Sequence, residues 1–197
     1  MELPLDLNRP YTFADYLTWT DNQMLELLHG FIRQMPEEKV KHAVVLSRAR
    51  DYIDDYMEKN TSGCQVFYAP FDVRFPKNPV QTADHQISTV LHPDICVVFD
   101  ASKIDERGCL GAPDVVIEIE SAVSQLYDWN RKHSIYEAGG VKEYWVISSG
   151  EEGITVFQLQ NNGTYGIGAV YEGNMQASSQ LLQGLSMNTE TLFKDIS

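Results

Sequence analysis

Residues 111–121 read GAPDVVIEIES, and this segment decides the fold class. After Pro113-Asp114 the run is almost entirely apolar and β-branched, which is typical of a strand that is covered on both faces of a sheet. Glu118 and Glu120 interrupt the run two residues apart, so both side chains project from the same face. Two carboxylates on one face of a buried strand are costly unless a cation neutralises them. The segment therefore predicts a central strand that carries a charged site.

A second acidic residue opens another apolar run. His92-Pro93-Asp94 precedes residues 95–99, and Asp94 reaches the same site if the two strands are neighbours. Mg²⁺ accepts one or two carboxylates, a backbone carbonyl and water, so such a site suits a divalent cation. Simpler interpretations remain open for single residues. Asp94 and Asp114 each follow a proline and fit turn chemistry, and Glu120 lies near the strand end and fits a water-exposed position.

The remaining patterns predict one α/β domain spanning residues 1–197. Its core covers about residues 36–150, with an N-terminal helix and hairpin extension in 1–35 and C-terminal strands in 151–197. Periodicity and turn residues predict the individual elements. The helices are expected at 12–19, 36–59 and 124–138, the hairpin at 24–35 around His29-Gly30, and the strands at 64–68, 71–75, 94–99, 115–119, 143–148, 154–159, 165–171 and 181–182.

The helix after the acidic strand carries a lysine with regularly spaced neighbours. Lys132 follows Asp128 by four residues and precedes Tyr136 by four, so the three side chains share one helix face. One interpretation is a surface ion pair with Asp128, worth a few tenths of a kcal/mol. The other places the ammonium over the acidic strand, where it orients a water or stabilises a developing negative charge. The spacing alone leaves both open.

Composition excludes several classes of protein. The 197 residues carry 15 Lys+Arg against 28 Asp+Glu, a net charge of −13, which excludes a strongly basic nucleic-acid binder. Three cysteines without a CxxC pair exclude a disulfide scaffold and indicate buried thiols in a reducing compartment. The N-terminus shows no secretory signal and no apolar run is long enough to cross a bilayer, so we expect a cytoplasmic protein without a membrane partner.

Several blocks together resemble a known family. The blocks are residues 111–121, then Asp128, Lys132, Tyr136 and residues 140–145, preceded by residues 25–30, His42, residues 69–74 and residues 92–94. In this order they resemble the Uma-two family of bacterial restriction endonuclease-like proteins, which is assigned to the PD-(D/E)XK nuclease superfamily. The resemblance runs over about residues 10–190. It implies a restriction-endonuclease-like α/β core, with a mixed sheet flanked by helices.

The resemblance also implies roles for individual residues. Asp94 matches the superfamily's metal-binding aspartate, and Glu118 matches the acid of its D/E-x-K element. Lys132 matches the lysine that this family supplies from the following helix. Glu26 matches an extra acid from the N-terminal region.

This sequence departs from the family pattern at three places. Glu120 occupies the position of the element's lysine, where many members have an apolar residue. Ser121 is followed by Ala-Val-Ser instead of a Ser-Pro stretch, and His29 replaces the usual aspartate. These departures bear on the charge of the site and on substrate geometry, and they leave the implied fold unchanged.

Two functional hypotheses follow. In the first, the protein is an endonuclease that hydrolyses DNA with Mg²⁺ or Mn²⁺ held by Asp94, Glu118 and a backbone carbonyl near Ile119. Lys132 polarises the attacking water, and Glu26 and Glu120 complete the acidic shell. Cutting two strands is compatible with a homodimer. In the second hypothesis the site is degenerate and the protein is a binding or assembly module, which the net charge of −13 favours.

Overall fold

A computed structural model describes residues 5–19, 25–35, 40–60, 63–120 and 125–196, with the backbone alone for 125–129. Within these ranges helices and short strands alternate along the chain. The helices are α1 Phe13–Tyr16, α2 Val40–Lys59, α3 Gln125–Gly139 and α4 Thr189–Phe193. No helix in the described ranges combines the length and apolar character needed to cross a bilayer.

The strands are mostly short, and the longest of them are central. They are β1 Leu25–Leu28, β2 Phe31–Gln34, β3 Gln65–Tyr68, β4 Val73–Arg74, β5 Val90–Leu91, β6 Ile95–Val98, β7 Ile104–Asp105, β8 Gly108–Leu110, β9 Val115–Glu120, β10 Glu143–Ser148, β11 Gly153–Gln158, β12 Ala169–Tyr171, β13 Gln176–Ser178 and β14 Ser186–Asn188. The predicted hairpin, the strand at 143–148 and the helix ending at Gly139 are confirmed. The predicted first turn of α2, residues 36–39, lies outside the described residues.

The strands form two six-stranded sheets and one small pair. The first sheet has the order β2-β1-β5-β4-β8-β7, the second has the order β12-β11-β10-β9-β6-β3, and β13 pairs with β14. Strand β9 runs parallel to β10 and antiparallel to β6, so the second sheet is mixed. The mixed α/β class is confirmed, although the predicted strands are divided between two sheets. The N-terminal hairpin belongs to the first sheet because β1 pairs with β5.

The second sheet is covered on both faces, as the apolar runs predict. Every residue of β9 and β10 is buried. Ile117 and Trp145 belong to the core cluster on the α2 side. Val116 and Tyr144 belong to the cluster on the α3 side. Because alternate residues of β9 face opposite sides, Glu118 and Glu120 share the α3 side with Val116.

The predicted strand at Leu181–Leu182 is wrong. The carboxylate of Glu143 accepts hydrogen bonds from the backbone N–H groups of Gln180 at 3.0 Å and Leu181 at 3.4 Å. The N–H of Leu182 donates to Ser179 Oγ at 2.9 Å. With these donors used locally, the segment folds as a turn that buries Leu182 instead of joining a ladder.

Two glycines with positive φ provide a matched test of a close backbone approach. Gly108 in β8 has φ +108°, and a Cβ there would lie 2.2 Å from the carbonyl oxygen of Asp72. We expect Gly108→Ala to lower the free energy of unfolding by roughly 3 kcal/mol or more, since backbone strain and overpacking add. Gly111 has φ +95° and nothing described within 4 Å. Gly111→Ala should cost only ~1 to 2 kcal/mol. Urea unfolding measures both losses, and equal losses would contradict the clash.

Candidate active site

Glu118 is the centre of a buried polar cluster on the α3 side of the second sheet. It is 5% exposed and lies in β9, between β6 and β10. Lys132 Nζ donates to Glu118 Oε1 at 3.0 Å, and Tyr136, one helical turn further along α3, donates its hydroxyl to the same oxygen at 2.5 Å. The four-residue spacing in α3 therefore aims both donors at one carboxylate oxygen.

Lys132 also contacts a carboxylate from the first sheet. Its Nζ lies 2.9 Å from Oε1 of Glu26, which is completely buried in β1. The backbone N–H of His92 donates to the same oxygen at 3.1 Å. Lys132 itself is 7% exposed. The structure thus places it in the interior, bonded to two carboxylates, and not in a surface ion pair. The side chain of Asp128 lies outside the described residues.

Asp94 lies at the start of β6, directly beside this cluster. Strands β6 and β9 are antiparallel with Ile95 opposite Ile117, and this register puts Asp94 next to Glu118. Asp94 Oδ2 accepts the N–H of Ile119 at 2.7 Å. The Nε2 of His42, near the start of α2, lies 3.4 Å from the same oxygen.

The other predicted acids occupy different environments. Glu120 is 8% exposed. It lies two residues beyond Glu118 on the same face of β9, near the cluster, and no ion pair within 4.0 Å joins it to another described residue. Asp114 accepts the N–H of Phe99 at 2.8 Å and the Nζ of Lys142 at 2.7 Å, away from Lys132. Asp114 therefore has a structural role in the turn before β9, in agreement with the interpretation of this residue as part of a turn after a proline.

Burial and charge shift the pKa values in opposite directions. Burial raises the pKa of Glu118 to about 7, because desolvation outweighs the attraction of Lys132 and the charges of Asp94 and Glu26 add to it. Burial also raises the pKa of Glu120. For Glu26, Lys132 and the His92 amide overcome burial and lower the pKa. The two glutamates likewise overcome burial and raise the pKa of Lys132, which stays protonated at neutral pH.

The donor set of the cluster suits a hard divalent cation. Glu26, Asp94, Glu118 and Glu120 are four buried carboxylates in the electrostatic surroundings of one buried lysine. Glu26 Oε2 accepts no hydrogen bond, and its ion pair with Arg33 is long, at 3.7 Å. No three His, Cys, Asp or Glu residues in the described chain are grouped to enclose a metal by themselves. Mg²⁺ commonly uses one or two protein carboxylates and takes its other ligands from water and phosphate, which fits this arrangement.

Three contributors to the cluster were not predicted. Arg33 faces Glu26 across the hairpin, a pairing that the two-residue turn at His29-Gly30 already specifies from the sequence. The helical period places Tyr136 on the same helix face as Lys132, but the sequence assigns Tyr136 no role in the site. The sequence identifies His42 only as one of the positions that resemble the family. Its contact with Asp94 has no local sequence signal, because the contact depends on how α2 packs on the sheet.

The chain is similar to known proteins in both sequence and fold. The sequence matches the family model described as "Uma2: Putative restriction endonuclease" over residues 13–190. A crystal structure of a "putative nuclease belonging to DUF820" from Anabaena variabilis ATCC 29413 has a similar fold, with a TM-score of 0.73 and 22% identity. The alignment covers 95% of this chain and 100% of that one. At this identity the likeness shows the fold. No curated protein matches the sequence.

Removing the buried ammonium should destabilise the fold. We expect Lys132→Met to lower the free energy of unfolding at neutral pH by roughly 3 to 5 kcal/mol, because it leaves Glu26 and Glu118 buried without a cation. The exposed pair Lys59–Asp55 offers the control, and Lys59→Met should cost about 0.5 kcal/mol or less. Denaturant unfolding measures both values. If Lys132→Met lowered the free energy of unfolding as little as Lys59→Met does, this result would contradict the buried bridge.

The raised pKa of Glu118 predicts a pH-dependent contribution to stability. Its pKa rises from 4.5 to about 7 on burial, so the folded state binds this proton more tightly than the unfolded state. The stability that this tighter proton binding contributes is complete below pH 4.5 and is lost as the pH rises through about 7. Glutamine does not titrate, so Glu118→Gln should gain in Tm relative to wild type between about pH 5 and about pH 8. Exposed Glu190→Gln is the control. A pH-independent difference would contradict the shift.

Proposed function

The chain belongs to the Uma2 family, and on this premise we propose that it is a metal-dependent nuclease that hydrolyses phosphodiester bonds in DNA. The observation that carries the proposal is the buried bridge from Lys132 to Glu26 and Glu118, with Asp94 beside it. The buried carboxylates here outnumber the buried lysine, and buried carboxylates without a cation are costly. An acidic excess beside a fixed ammonium is what binding of a cation and a phosphate requires.

Asp94 and Glu118 would hold Mg²⁺ or Mn²⁺, together with the backbone carbonyl of Ile119. When bound, such an ion lowers the pKa of a coordinated water and neutralises charge on a phosphate oxygen. Asp94 is held for this role by the N–H of Ile119, at 2.7 Å. Tyr136 fixes one oxygen of Glu118 and leaves the second oxygen of that carboxylate for a ligand.

Lys132 would act as a fixed hydrogen-bond donor. Its raised pKa keeps it protonated at neutral pH, so it does not accept a proton from water. Its ammonium instead orients the attacking water and stabilises negative charge on the phosphate in the transition state. Glu26 positions Lys132 through the 2.9 Å contact and is itself held by the His92 amide. Glu120 adds negative charge at the edge of the cluster.

The net charge of −13 has a consequence for substrate binding. A chain with this charge repels DNA at long range, and the cluster itself is acidic. A divalent cation reverses the local sign, so DNA should bind here only when the ion is present. The proposed activity is therefore expected to depend on the metal for affinity as well as for rate.

Mn²⁺ binding is the first test, and two aspartates form a matched pair for it. Asp94 and Asp114 both follow a proline, both precede a strand of the second sheet, and both are 4% exposed. We expect titration calorimetry to show millimolar or tighter Mn²⁺ binding that Asp94→Asn abolishes and Asp114→Asn retains. Equal effects of the two substitutions, or no binding even with a short duplex present, would overturn the metal site.

Nicking of supercoiled plasmid then tests the reaction. Lys132→Arg keeps the buried positive charge but replaces the compact ammonium by a planar group with different geometry. We expect this variant to remain folded and to lose about 100-fold or more in nicking rate, the effect of a displaced transition-state donor. Unchanged nicking by the variant would remove Lys132 from the mechanism. Mn²⁺ binding without any nicking would favour a binding module.

A further inference from the structure

A cavity opens on the α3 side of the second sheet, directly beside the candidate active site. Its volume is about 200 Å³, and it crosses strands β9 to β12. The residues that form its floor and walls include Glu120, Val146, Ser148, Thr155, Phe157 and Val170. None of the described residues that line the cavity is basic.

The cavity and the candidate active site are neighbours on the same face of the second sheet. Val146 in β10 lies opposite Glu118, and Ser148 lies opposite Glu120. The two glutamates alternate along the same face of β9, so a ligand can contact Glu118 with one group and the cavity with the next. A nucleotide whose phosphate lies at Glu118 would direct its base, or that of its neighbour, toward this cavity.

Glu120 is the buried one of the three carboxylates that line the cavity. It is 8% exposed, and within the described residues its carboxylate accepts no hydrogen bond and has no cation within 4.0 Å. A carboxylate this deeply buried gains strongly from a hydrogen-bond donor supplied by a ligand.

The remaining lining combines apolar side chains with two hydroxyl groups and with two exposed carboxylates, those of Glu151 and Glu172. The ring of Phe157 is held by His133 and Tyr144, with ring centroids at 4.9 Å and 6.0 Å. Val146 is 8% exposed and Val170 is 56% exposed, so one wall is fixed and the opposite wall is at the surface. A phosphate has no cationic partner among these residues. A planar, neutral ring that carries an N–H donor fits both the apolar walls and Glu120.

We propose that this cavity receives an unpaired nucleobase with an exocyclic amino group, from a nucleotide adjacent to the phosphodiester at Glu118. The assignment rests on the proposed nuclease function. Cytosine, adenine and guanine carry such a group, whereas thymine presents carbonyl oxygens that would face the Glu120 carboxylate. In a duplex the faces of the bases are covered by stacking, so a base whose ring enters the cavity must be unpaired. The substrate class is therefore single-stranded or frayed DNA that contains cytosine or adenine near the cut.

Binding of free nucleosides tests the cavity without metal and without cleavage. Amide ¹H–¹⁵N spectra of the whole protein are recorded during titration with deoxycytidine, deoxyadenosine and thymidine. We expect the first two to shift the amides of Ser148, Thr155 and Val170, with an affinity about tenfold above that of thymidine, the discrimination of roughly one hydrogen bond. Glu120→Gln should abolish the preference, since an amide offers both a donor and an acceptor.

Two valines allow a matched control for the cavity volume. Val170→Phe places a larger side chain at the open wall and should weaken deoxycytidine binding about tenfold or more. Val80 is 87% exposed and does not line the cavity, so Val80→Phe should leave binding unchanged. The spectrum of each variant also reports whether it is folded. Equal shifts with thymidine, or unaltered binding by Val170→Phe, would overturn the assignment.

Cleavage assays separate the failure of this inference from the failure of the proposed function. With Mn²⁺, single strands that contain cytosine or adenine should be cut about tenfold faster than thymidine tracts or matched duplex. Nicking without any selectivity for nucleosides or bases would overturn the cavity assignment alone. Selective nucleoside binding without cleavage of any strand would overturn the nuclease function alone.

Discussion

One ammonium group, buried between two carboxylates, ties the two sheets of this protein together. Lys132 of α3 bonds to Glu26 of the first sheet and to Glu118 of the second, at 2.9 and 3.0 Å. Separating either carboxylate from it leaves a buried charge without compensation, which is far more costly than losing a surface pair. The placement of α3, of the N-terminal hairpin and of the central strand therefore depends on the same contact. Its geometry also sets the distances between the groups that we propose to act in hydrolysis.

The side chains on the face of β9 that carries this contact have different surroundings within a short distance. Val116 packs in the core, Glu118 accepts two hydrogen bonds from side chains of α3, and Glu120 lines a cavity. Strand alternation alone produces this series, because every second residue returns to the same face. A charged site and a recess with apolar and acidic walls thus lie side by side on the same sheet face. Rigid strands of this kind position functional groups more accurately than loops do.

The central elements could be predicted from local sequence because their patterns are strong. Continuous apolar runs identified β9 and β10, alternation placed Glu118 and Glu120 on one face, and the helical period placed Lys132 with Tyr136. The division into two sheets could not be predicted, since β4, β5 and β7 are two residues long and carry no period. The contact of Glu26 with Lys132 joins distant parts of the chain, and the sequence did not predict it; only the family resemblance assigned Glu26 to the site. The strand prediction at Leu181 and Leu182 is wrong because the carboxylate of Glu143, which is distant in the sequence, accepts hydrogen bonds from the backbone N–H groups of this segment.

The bridge from Lys132 to Glu26 also makes the site a late product of folding. Its carboxylates come from the first strand of one sheet and the middle of the other, and its cation comes from the helix that follows. Contacts between residues so far apart form slowly, because long loops must close before they are made. During synthesis, a chain that has emerged only as far as β9 contains the four acids but lacks the ammonium that organises them. The nuclease activity that we propose would therefore be absent from nascent chains and from proteolytic fragments, and would begin only in the finished molecule.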